Sequence, residues 1–409
     1  MCKIPQSVGV CLLGAILAIV TFVHPDAAHA ANFKLLHSFA GNTDGCDPVG
    51  GVIVDTEGNL YGVTSGGGAG QCGGGGSKGT VFTIPAGGSE TPLYDFTGGG
   101  SGEGPVAPLL RDRHRRLYGS TAEGGTDCGL IFEIEPNSRE RVAHTFAGSP
   151  DDGCTPLGAL IEGANDKFYS TTLGGGKYRA GNVFELSRAG SVKQLHSFKP
   201  GGEAGDAPGA GVIMDSNGNL FGVNFSGGDG FGDVFELTPE RVYRVLYKFK
   251  GSPDDGAGPP ASLIMNASGD LFGVAEYGGK AGCGGNLGCG IVFEILPGGT
   301  ETVLHFFSGR HGDGANPEGW LIADGAGNLY GTTEYGGGTC AYDQAYGCGT
   351  VFKLAPNGTE AILYSFSKND AVNGALPAAG LVADAAGNLY GTTQFGGAYD
   401  CGTVFEITP

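Results

Sequence analysis

The chain has 409 residues, of which 82 are glycine and 40% are hydrophobic; glycine without a three-residue period excludes collagen, and ordered hydrophobic residues exclude low-complexity disorder. Lysine and arginine number 23 against 42 aspartates and glutamates, which gives a formal charge of -19. Because so acidic a surface repels phosphate groups, we exclude nucleic acid and anionic membranes as partners.

The first thirty residues predict a secretory signal peptide. Lys3 supplies the positive start, residues 8–23 form an apolar run, and Ala28-His29-Ala30 is an A-x-A cleavage site. No other segment is apolar enough to span a bilayer. We therefore expect a mature chain of residues 31–409 that is secreted, either to the extracellular space or to the periplasm, as a soluble monomer.

One pattern of roughly fifty residues recurs along the rest of the chain, which is typical of repeat architectures. Each copy has an aromatic residue, a Gly-Gly pair six residues later, and a Val-Phe or Ile-Phe pair. The aromatic residues are Tyr61, Tyr118, Tyr169, Phe221, Phe272, Tyr330 and Tyr390. The closing phenylalanines are Phe82, Phe132, Phe184, Phe235, Phe293, Phe352 and Phe405. The repeats start near residues 50, 106, 158, 210, 262, 320 and 380.

Each repeat predicts four short strands, a to d, because β-branched and aromatic runs alternate with Gly, Asn, Pro and Asp. Residues 380–384 and 388–393 exemplify strands a and b, and residues 349–354 and 360–366 exemplify strands c and d. Four antiparallel strands per repeat are typical of a β-propeller blade.

The two ends of the chain predict how the ring closes. The mature chain opens with a lone strand d, residues 33–39, and finishes with a lone set of strands a, b and c, residues 380–407. We therefore predict an all-β fold, a seven-bladed β-propeller of four-stranded antiparallel blades, in which the N-terminal strand completes the C-terminal blade and leaves no free edge. The alternative is an open solenoid with capping repeats.

The strand order also sorts the loops onto two faces. The b–c and d–a connections share one side, here called the loop face, and the a–b and c–d turns share the other, the turn face. The loop face carries the long and variable connections. Binding residues concentrate on loops held by a rigid scaffold, so the loop face is where we expect the site.

The repeat resembles that of the choice-of-anchor tandem repeat GloVer-containing proteins. The motifs that carry the resemblance are Gly387-Asn388-Leu389-Tyr390-Gly391-Thr392-Thr393 and Cys401-Gly402-Thr403-Val404-Phe405. The resemblance covers essentially the whole mature chain. It implies a secreted bacterial protein with propeller architecture, and it supplies no catalytic residues.

Nine of the eleven cysteines follow the signal peptide, in a compartment where disulfides persist. Equivalent positions in the repeat favour two pairs, Cys128–Cys154 and Cys46–Cys401, the second joining the two termini. Short loops favour two more, Cys283–Cys289 and Cys340–Cys348. Cys72 is left over. The alternative is that some of these cysteines are free, buried thiols.

Histidines and acidic residues recur in positions that favour a structural role. His37, His144, His196 and His305 share with tyrosines one position of strand d, which favours packing over catalysis. The d–a loops carry a ring of acidic side chains, Asp44, Glu103, Asp152, Asp206, Asp255 and Asp313. Asp-Gly before Pro is an ordinary turn, and the spacing lacks the dense oxygen ligands of calcium loops. We predict no metal or cofactor; calcium has no support.

Three adjacent repeats depart from the others just before the Gly-Gly pair. They carry an acid or amide followed by an aromatic residue: Glu276 and Tyr277, Glu334 and Tyr335, and Gln394 and Phe395. Aromatic faces beside hydrogen-bonding groups suit a sugar ring. The alternative is that these aromatic residues only pack beneath their own loops.

These observations favour non-catalytic recognition of a polysaccharide or another surface component by the loop face of blades 5–7. The alternative is an extracellular polysaccharide lyase or glycoside hydrolase on the same scaffold, because a fold does not fix a function. An enzyme needs converging acidic groups, and only Glu276, Glu334 and Tyr335 are candidates. A third reading is a structural coat protein, which would have no deep pocket on its loop face.

Overall fold

The computed structural model describes residues 31–409 except 69, 74–76, 202–204, 228–229, 281–282, 284–286, 311, 341–346 and 368–371, and the segment Ala31–Pro409 forms one compact unit. The predicted signal peptide, residues 1–30, lies outside the described residues. Within the described part of the chain, no helix has the length and apolar character needed to cross a membrane.

Seven four-stranded antiparallel sheets form the seven blades of a propeller, as the repeats predicted. Strands a to d are Val52–Val54, Leu60–Thr64, Thr80–Ile84 and Thr91–Asp95 in blade 1; Leu110–Arg111, Leu117–Glu123, Leu130–Ile134 and Glu140–Thr145 in blade 2; Ile161–Glu162, Lys167–Thr172, Asn182–Ser187 and Val192–Ser197 in blade 3; and Ile213–Met214, Leu220–Asn224, Asp233–Leu237 and Tyr243–Lys248 in blade 4. They are Ile264–Met265, Leu271–Ala275, Ile291–Ile295 and Glu301–Phe306 in blade 5; Ile322–Ala323, Leu329–Thr333, Thr350–Leu354 and Glu360–Ser365 in blade 6; and Val382–Ala383, Leu389–Thr393, Thr403–Thr408 and Asn32–Ser38 in blade 7.

Shorter elements tie the d–a loops to the ends of strands b. They are the strands Glu103–Pro105, Gly153–Cys154, Gly174–Gly175, Gly256–Ala257, Tyr277–Gly278, Gly314–Ala315 and Tyr335–Gly336, with a 3-10 turn at Gly99–Ser101. A second 3-10 turn, Ala164–Asp166, forms the a–b turn of blade 3. Tyr277–Gly278 pairs with Gly256–Ala257, and Tyr335–Gly336 pairs with Gly314–Ala315. These pairings hold the loop face of blades 5 and 6 against the scaffold.

The N-terminal strand closes the ring. Asn32–Ser38 pairs antiparallel with Thr403–Thr408, with Phe33 opposite Ile407 and Ser38 opposite Thr403. Blade 7 is therefore built from both ends of the described chain, and the outer edge of Thr403–Thr408 is covered.

Phenylalanine pairs join each blade to the next and explain the repeated Val-Phe motif. Every strand d is followed directly by a fully buried Phe, whose ring packs edge-on against the strand-c Phe of the next blade, with centroids 5.0–5.5 Å apart. The pairs are Phe39–Phe82, Phe96–Phe132, Phe146–Phe184, Phe198–Phe235, Phe249–Phe293, Phe307–Phe352 and Phe366–Phe405. Edge-on pairs of this kind add to the free energy of burial, so the core runs continuously around the ring.

The glycine after the repeated aromatic residue makes room for this ring. A Cβ on Gly62 would lie 2.5 Å from the Phe82 ring, and one on Gly273 would lie 2.6 Å from the Phe293 ring. Real Cβ atoms do not come so close to other atoms, so a side chain at either position would force the phenylalanine ring to move. Blade 3 carries Ser170 there, and its hydroxyl donates to the carbonyl of Ala159 at 2.9 Å.

Four disulfides form among the described cysteines. Cys128–Cys154, Cys283–Cys289 and Cys340–Cys348 are paired as the sequence suggested. The predicted Cys46–Cys401 bridge was wrong: Cys46 bonds to Cys72, and Cys401 is a free, buried thiol.

The reason for the different pairing lies in the b–c loop of blade 1. The Cys72 amide donates to the Gly41 carbonyl at 2.9 Å, so this loop folds back over the d–a loop that carries Cys46. The sulfurs of Cys46, Cys72 and Cys401 consequently lie within 4.8 Å of one another. Cys72, for which the sequence suggested no partner, thus bonds to Cys46 in place of Cys401.

Candidate ligand-binding site at the mouth of the central channel

The residue after the d–a proline of each blade points to the axis of the ring. These seven residues line a cavity of about 310 Å³. They are Val49, Val106, Leu157, Gly209, Pro260, Glu318 and Ala378. The seven positions are equivalent in the repeat, so their residues can be compared directly. Six of them are apolar or glycine, and one is a carboxylic acid.

A second ring, two residues further along, has one large member. Trp320 is the only tryptophan of the chain, and its indole N–H donates to the Leu381 carbonyl at 3.0 Å. Blades 1 and 7 have glycines at the equivalent positions, and a Cβ on Gly51 would lie 2.8 Å from the indole. The indole therefore extends from blade 6 towards blades 7 and 1 and forms one wall of the cavity.

The ends of strands b supply the third ring, which contains the predicted Glu276, Glu334 and Gln394. Gln394 lines the cavity together with Glu318. The backbone N–H groups of Glu276, Glu334 and Gln394 donate to d–a loop carbonyls at 3.2, 3.0 and 3.0 Å. These equivalent bonds fix the three side chains at the same height in three adjacent blades.

Three glutamates, from two adjacent blades, interact at the mouth of the channel. The carboxyl groups of Glu318 and Glu334 are hydrogen-bonded to each other. The charge of Glu276 acts on Glu318, and the charge of Glu334 acts on Glu276. Glu276 is only 9% exposed. The structure therefore brings the predicted Glu276 and Glu334 together and adds Glu318, which the sequence analysis missed.

Burial and mutual repulsion keep this cluster partly protonated. Burial, then the charges of Glu334 and Glu276, raise the pKa of Glu318 to about 9. Burial also raises the pKa of Glu334 and of Glu276. A carboxyl that stays neutral donates a hydrogen bond, whereas its ionised neighbour only accepts. The proton of Glu318 is thus shared with Glu334, and the other carboxyl oxygens of the cluster are acceptors for a polar ligand.

The predicted aromatic residues lie beside this cluster and partly pack against the core. Tyr335 contacts the hydrophobic clusters of blades 5–6 and 6–7, and Phe395 contacts the latter. Tyr277 hydrogen-bonds to Glu276. The rings of Tyr277 and of Phe225, which is 37% exposed, both lie beside Gly258. Tyr335 and Phe395 thus contact the core as well as lying beside the cluster, Trp320 is half-buried, and Phe225 exposes apolar surface.

The ring of d–a loop carboxylates stabilises turns. Asp44, Asp152, Asp255 and Asp313 each accept a backbone N–H of the preceding strand end at 2.7–3.0 Å. Among the described residues, the two groups of His, Cys, Asp or Glu close enough to share an ion are Cys46 with Cys72 and Cys401, and His305 with Asp313 and Glu360. Both lie away from the channel residues.

The signal that would have found Glu318 and Trp320 was present in the sequence. Aligning the seven segments after the d–a proline gives an acid in one copy and a bulky aromatic in one copy, both in repeat six. Both residues follow the d–a proline, beyond the acidic residue that recurs in these loops, in short segments whose copies meet at the axis.

Comparisons with known proteins agree with this architecture. No curated protein matches the chain. A solved structure of a fungal alcohol oxidase of the AA5 family, in complex with copper, is 13% identical with a TM-score of 0.57, covering 93% of this chain and 76% of the oxidase. Puromycin hydrolase is 12% identical with a TM-score of 0.51, covering 86% of this chain and 50% of the hydrolase. Luciferin-regenerating enzyme is 12% identical with a TM-score of 0.44, covering 74% of this chain and 90% of that enzyme. At these identities the likeness shows the fold alone.

The Gloeobacter/Verrucomicrobia repeat matches the chain in three overlapping segments, residues 23–163, 126–338 and 283–409. These segments extend across the whole described part of the chain. The chain therefore belongs to this repeat family, which confirms the resemblance seen in its motifs.

Proposed function

We propose that this member of the Gloeobacter/Verrucomicrobia repeat family is a secreted, non-catalytic recognition protein that binds a polysaccharide or another surface component. The site is the mouth of the central channel, on the loop face of blades 5–7. One observation carries the proposal: polar and aromatic departures from the sevenfold repeat converge there. Glu276, Glu318, Trp320, Glu334 and Gln394 come from three adjacent blades.

The chemistry of these side chains suits a sugar. A pyranose ring presents apolar C–H faces and polar hydroxyl edges, which match the Trp320 indole and the surrounding carboxyl and amide groups. The carboxyl oxygens accept hydrogen bonds from sugar hydroxyls, and the Gln394 amide, which lines the cavity, can also donate to them. A cavity of about 310 Å³ is at the small end of ligand pockets, so we expect it to hold one sugar unit or a chain end.

The carboxyl pair favours recognition over hydrolysis. Retaining glycosidases separate their two carboxyls by about 5–5.5 Å, and inverting ones by about 6.5–9.5 Å. Glu318 and Glu334 are instead hydrogen-bonded to each other, which is closer than either of these separations. A lyase or hydrolase remains the alternative, and the same experiment tests it.

The test is a panel of soluble polysaccharides offered to mature protein, followed by affinity electrophoresis and calorimetry. We expect binding that is lost in Glu318→Ala and in Trp320→Ala, and kept in the control Glu57→Gln, an exposed glutamate on the turn face. Circular dichroism checks that the variants are folded. Binding that survives both substitutions would place the site elsewhere.

Product formation is measured on the same samples. New reducing ends or the absorbance of unsaturated sugars would replace the recognition proposal with the enzymatic alternative. Binding without products supports recognition.

A further inference from the structure

A second group of polar side chains lies at the junctions between blades, away from the channel. At each junction the His or Tyr two residues before the buried Phe lies near the start of strand d in the next blade. The carboxylate or amide of the intervening d–a loop lies beside them. The junction of blades 5 and 6 contains His305, Asp313 and Glu360.

Several equivalent junctions pair these side chains, although Glu90, Glu140 and Glu301, which lie at the start of strand d in their blades, also keep one buried oxygen without a partner. The junction of blades 7 and 1 has the same residue types, and there His37 Nε2 lies 3.4 Å from Asp44 Oδ2. The Nε2 atom of His144 lies 3.0 Å from an oxygen of Asp152. The Tyr247 hydroxyl donates to Asp255 at 2.7 Å. At two other junctions the aromatic residues stack, His196 on Tyr243 with centroids 4.2 Å apart and Tyr364 on Phe33 at 4.1 Å.

Among the junctions in the described part of the chain, that of blades 5 and 6 is the one where a histidine and two carboxylates come close enough together to share an ion. His305 Nε2 lies 3.6 Å from Asp313 Oδ1 and 3.6 Å from Glu360 Oε2, beyond hydrogen-bond distance. His305 Nε2, Asp313 Oδ1 and Glu360 Oε1 are shielded from solvent and have no hydrogen-bond partner. Burying three unsatisfied polar atoms is unfavourable unless something is bound between them.

We propose that His305, Asp313 and Glu360 bind a divalent transition-metal ion, for which zinc is the best fit. An imidazole and two carboxylates are ligands that zinc accepts, whereas calcium prefers oxygen alone. Atoms bound at about 2.0–2.2 Å in tetrahedral directions lie roughly 3.3–3.6 Å apart. The two distances of 3.6 Å agree with that spacing, and the three ligand atoms lie within 4.8 Å of one another.

The surroundings orient these ligands. Asp313 Oδ2 accepts the backbone N–H of Ser308 at 2.7 Å and its hydroxyl at 2.6 Å, which turns Oδ1 towards His305. The His305 ring packs edge-on against Phe307 with centroids 4.8 Å apart. Such outer contacts fix the direction of a metal ligand. Glu360 begins strand d of blade 6, so the ion would join two blades.

The experiment uses mature protein stripped with a chelator and then titrated with Zn²⁺ or Co²⁺. We expect saturable zinc binding by calorimetry, a visible cobalt absorbance and a rise in Tm with zinc. The variant His305→Tyr carries at this position the residue type that blade 4 has in Tyr247, so the packing is retained. We expect this variant to bind zinc more than tenfold more weakly and to lose the cobalt absorbance.

The matched control is His144→Tyr, in the junction where Val192 occupies the position of Glu360; it should bind zinc as the wild type does. Glu360→Gln preserves side-chain size and provides a second loss-of-ligand variant if His305→Tyr does not fold. Equal zinc affinity in wild type and in either ligand variant would overturn the proposal, as would wild type that does not bind zinc.

Discussion

Single residues matter here chiefly where they differ from their six equivalents. Glu318 is an acid in a ring of apolar residues, and burial with two neighbouring glutamates raises its pKa to about 9 from an ordinary value of 4.5. The folded protein therefore keeps a proton that the unfolded chain has already released. Stability contributed by this proton is present below about pH 4.5 and is lost as the pH rises to about 9.

Glu318→Gln should therefore stabilise the protein at pH 8 and have little effect near pH 4.5. The amide is neutral at every pH and occupies the same volume, so it removes the free energy needed to ionise a buried carboxyl. One unit of pKa corresponds to about 1.4 kcal/mol, and we expect roughly 1–3 kcal/mol at pH 8. Denaturant unfolding at the two pH values measures this; a stabilisation that is the same at both would contradict it, and Glu57→Gln is the control.

The cysteine cluster of blade 7 and blade 1 gives a second prediction at this scale. The Asp47 amide donates to the Cys401 carbonyl at 3.1 Å, as the Thr155 amide donates to the Cys128 carbonyl at 2.9 Å. The backbone around Cys46 and Cys401 thus matches that of the bonded pair Cys128–Cys154. We expect Cys72→Ser to allow a Cys46–Cys401 bond to form.

A thiol count distinguishes the outcomes. The wild-type mature chain should have one free thiol, Cys401, and Cys72→Ser should have none once oxidised. Two free thiols in Cys72→Ser would contradict the prediction. Peptide mapping without reduction identifies the bond, and Cys72→Ser with Cys401→Ser, which leaves Cys46 unpaired, is the reference.

A site residue could be predicted from the sequence where it departs from a conspicuous motif of the repeat. Glu276 and Glu334 stand beside the conspicuous Gly-Gly pair, so their departure was visible. Glu318 and Trp320 lie in a d–a segment whose copies meet only around the axis, so their significance depends on three-dimensional convergence. The Cys46–Cys72 bond likewise depends on a loop that folds back, which position in the repeat does not encode.

At the scale of strands, the sequence predicted strands c and d closely and strand a less well. Residues 349–354 and 360–366 were predicted, and the structure has Thr350–Leu354 and Glu360–Ser365. Strand a was predicted as 380–384 and is only Val382–Ala383. It is the innermost strand and pairs on one side alone, so backbone groups nearer the axis bond to neighbouring blades instead: the Thr332 hydroxyl donates to the Ala379 carbonyl at 2.8 Å.

The glycine of strand b packs closely against the strand-c phenylalanine, and this contact leads to a prediction about how the two strands fit together. Gly273→Ala would place a methyl group 2.6 Å from the Phe293 ring, which must then move away from Phe249. We expect a loss of roughly 1–3 kcal/mol, the usual effect of overpacking. Gly325→Ala is the control, since a Cβ there meets nothing within 4 Å. Equal unfolding midpoints for the two variants would show that the ring adapts freely.

At the scale of the whole molecule, the propeller is a closed cycle of seven phenylalanine contacts, and one of them depends on the N-terminal strand. Phe39 packs on Phe82 of blade 1 with centroids 5.2 Å apart, and the preceding strand pairs with Thr403–Thr408. Both the blade 7 sheet and the contact between blades 7 and 1 thus require residues 32–39.

Removing residues 31–39 should therefore open the ring without altering blades 2–5, while blade 6 loses the Phe33 ring that stacks on Tyr364. The strand Thr403–Thr408 becomes a free edge that can pair with another chain, so we expect a lower Tm and concentration-dependent oligomers in light scattering. A synthetic peptide of residues 31–41 added in trans should restore the monomer and raise the Tm, because it supplies both the strand and the Phe39 ring. The same peptide with Phe39→Ala should restore less, since it supplies the hydrogen bonds without the aromatic contact. A truncated protein that stays monomeric with an unchanged Tm would mean that the remaining six contacts hold the propeller closed.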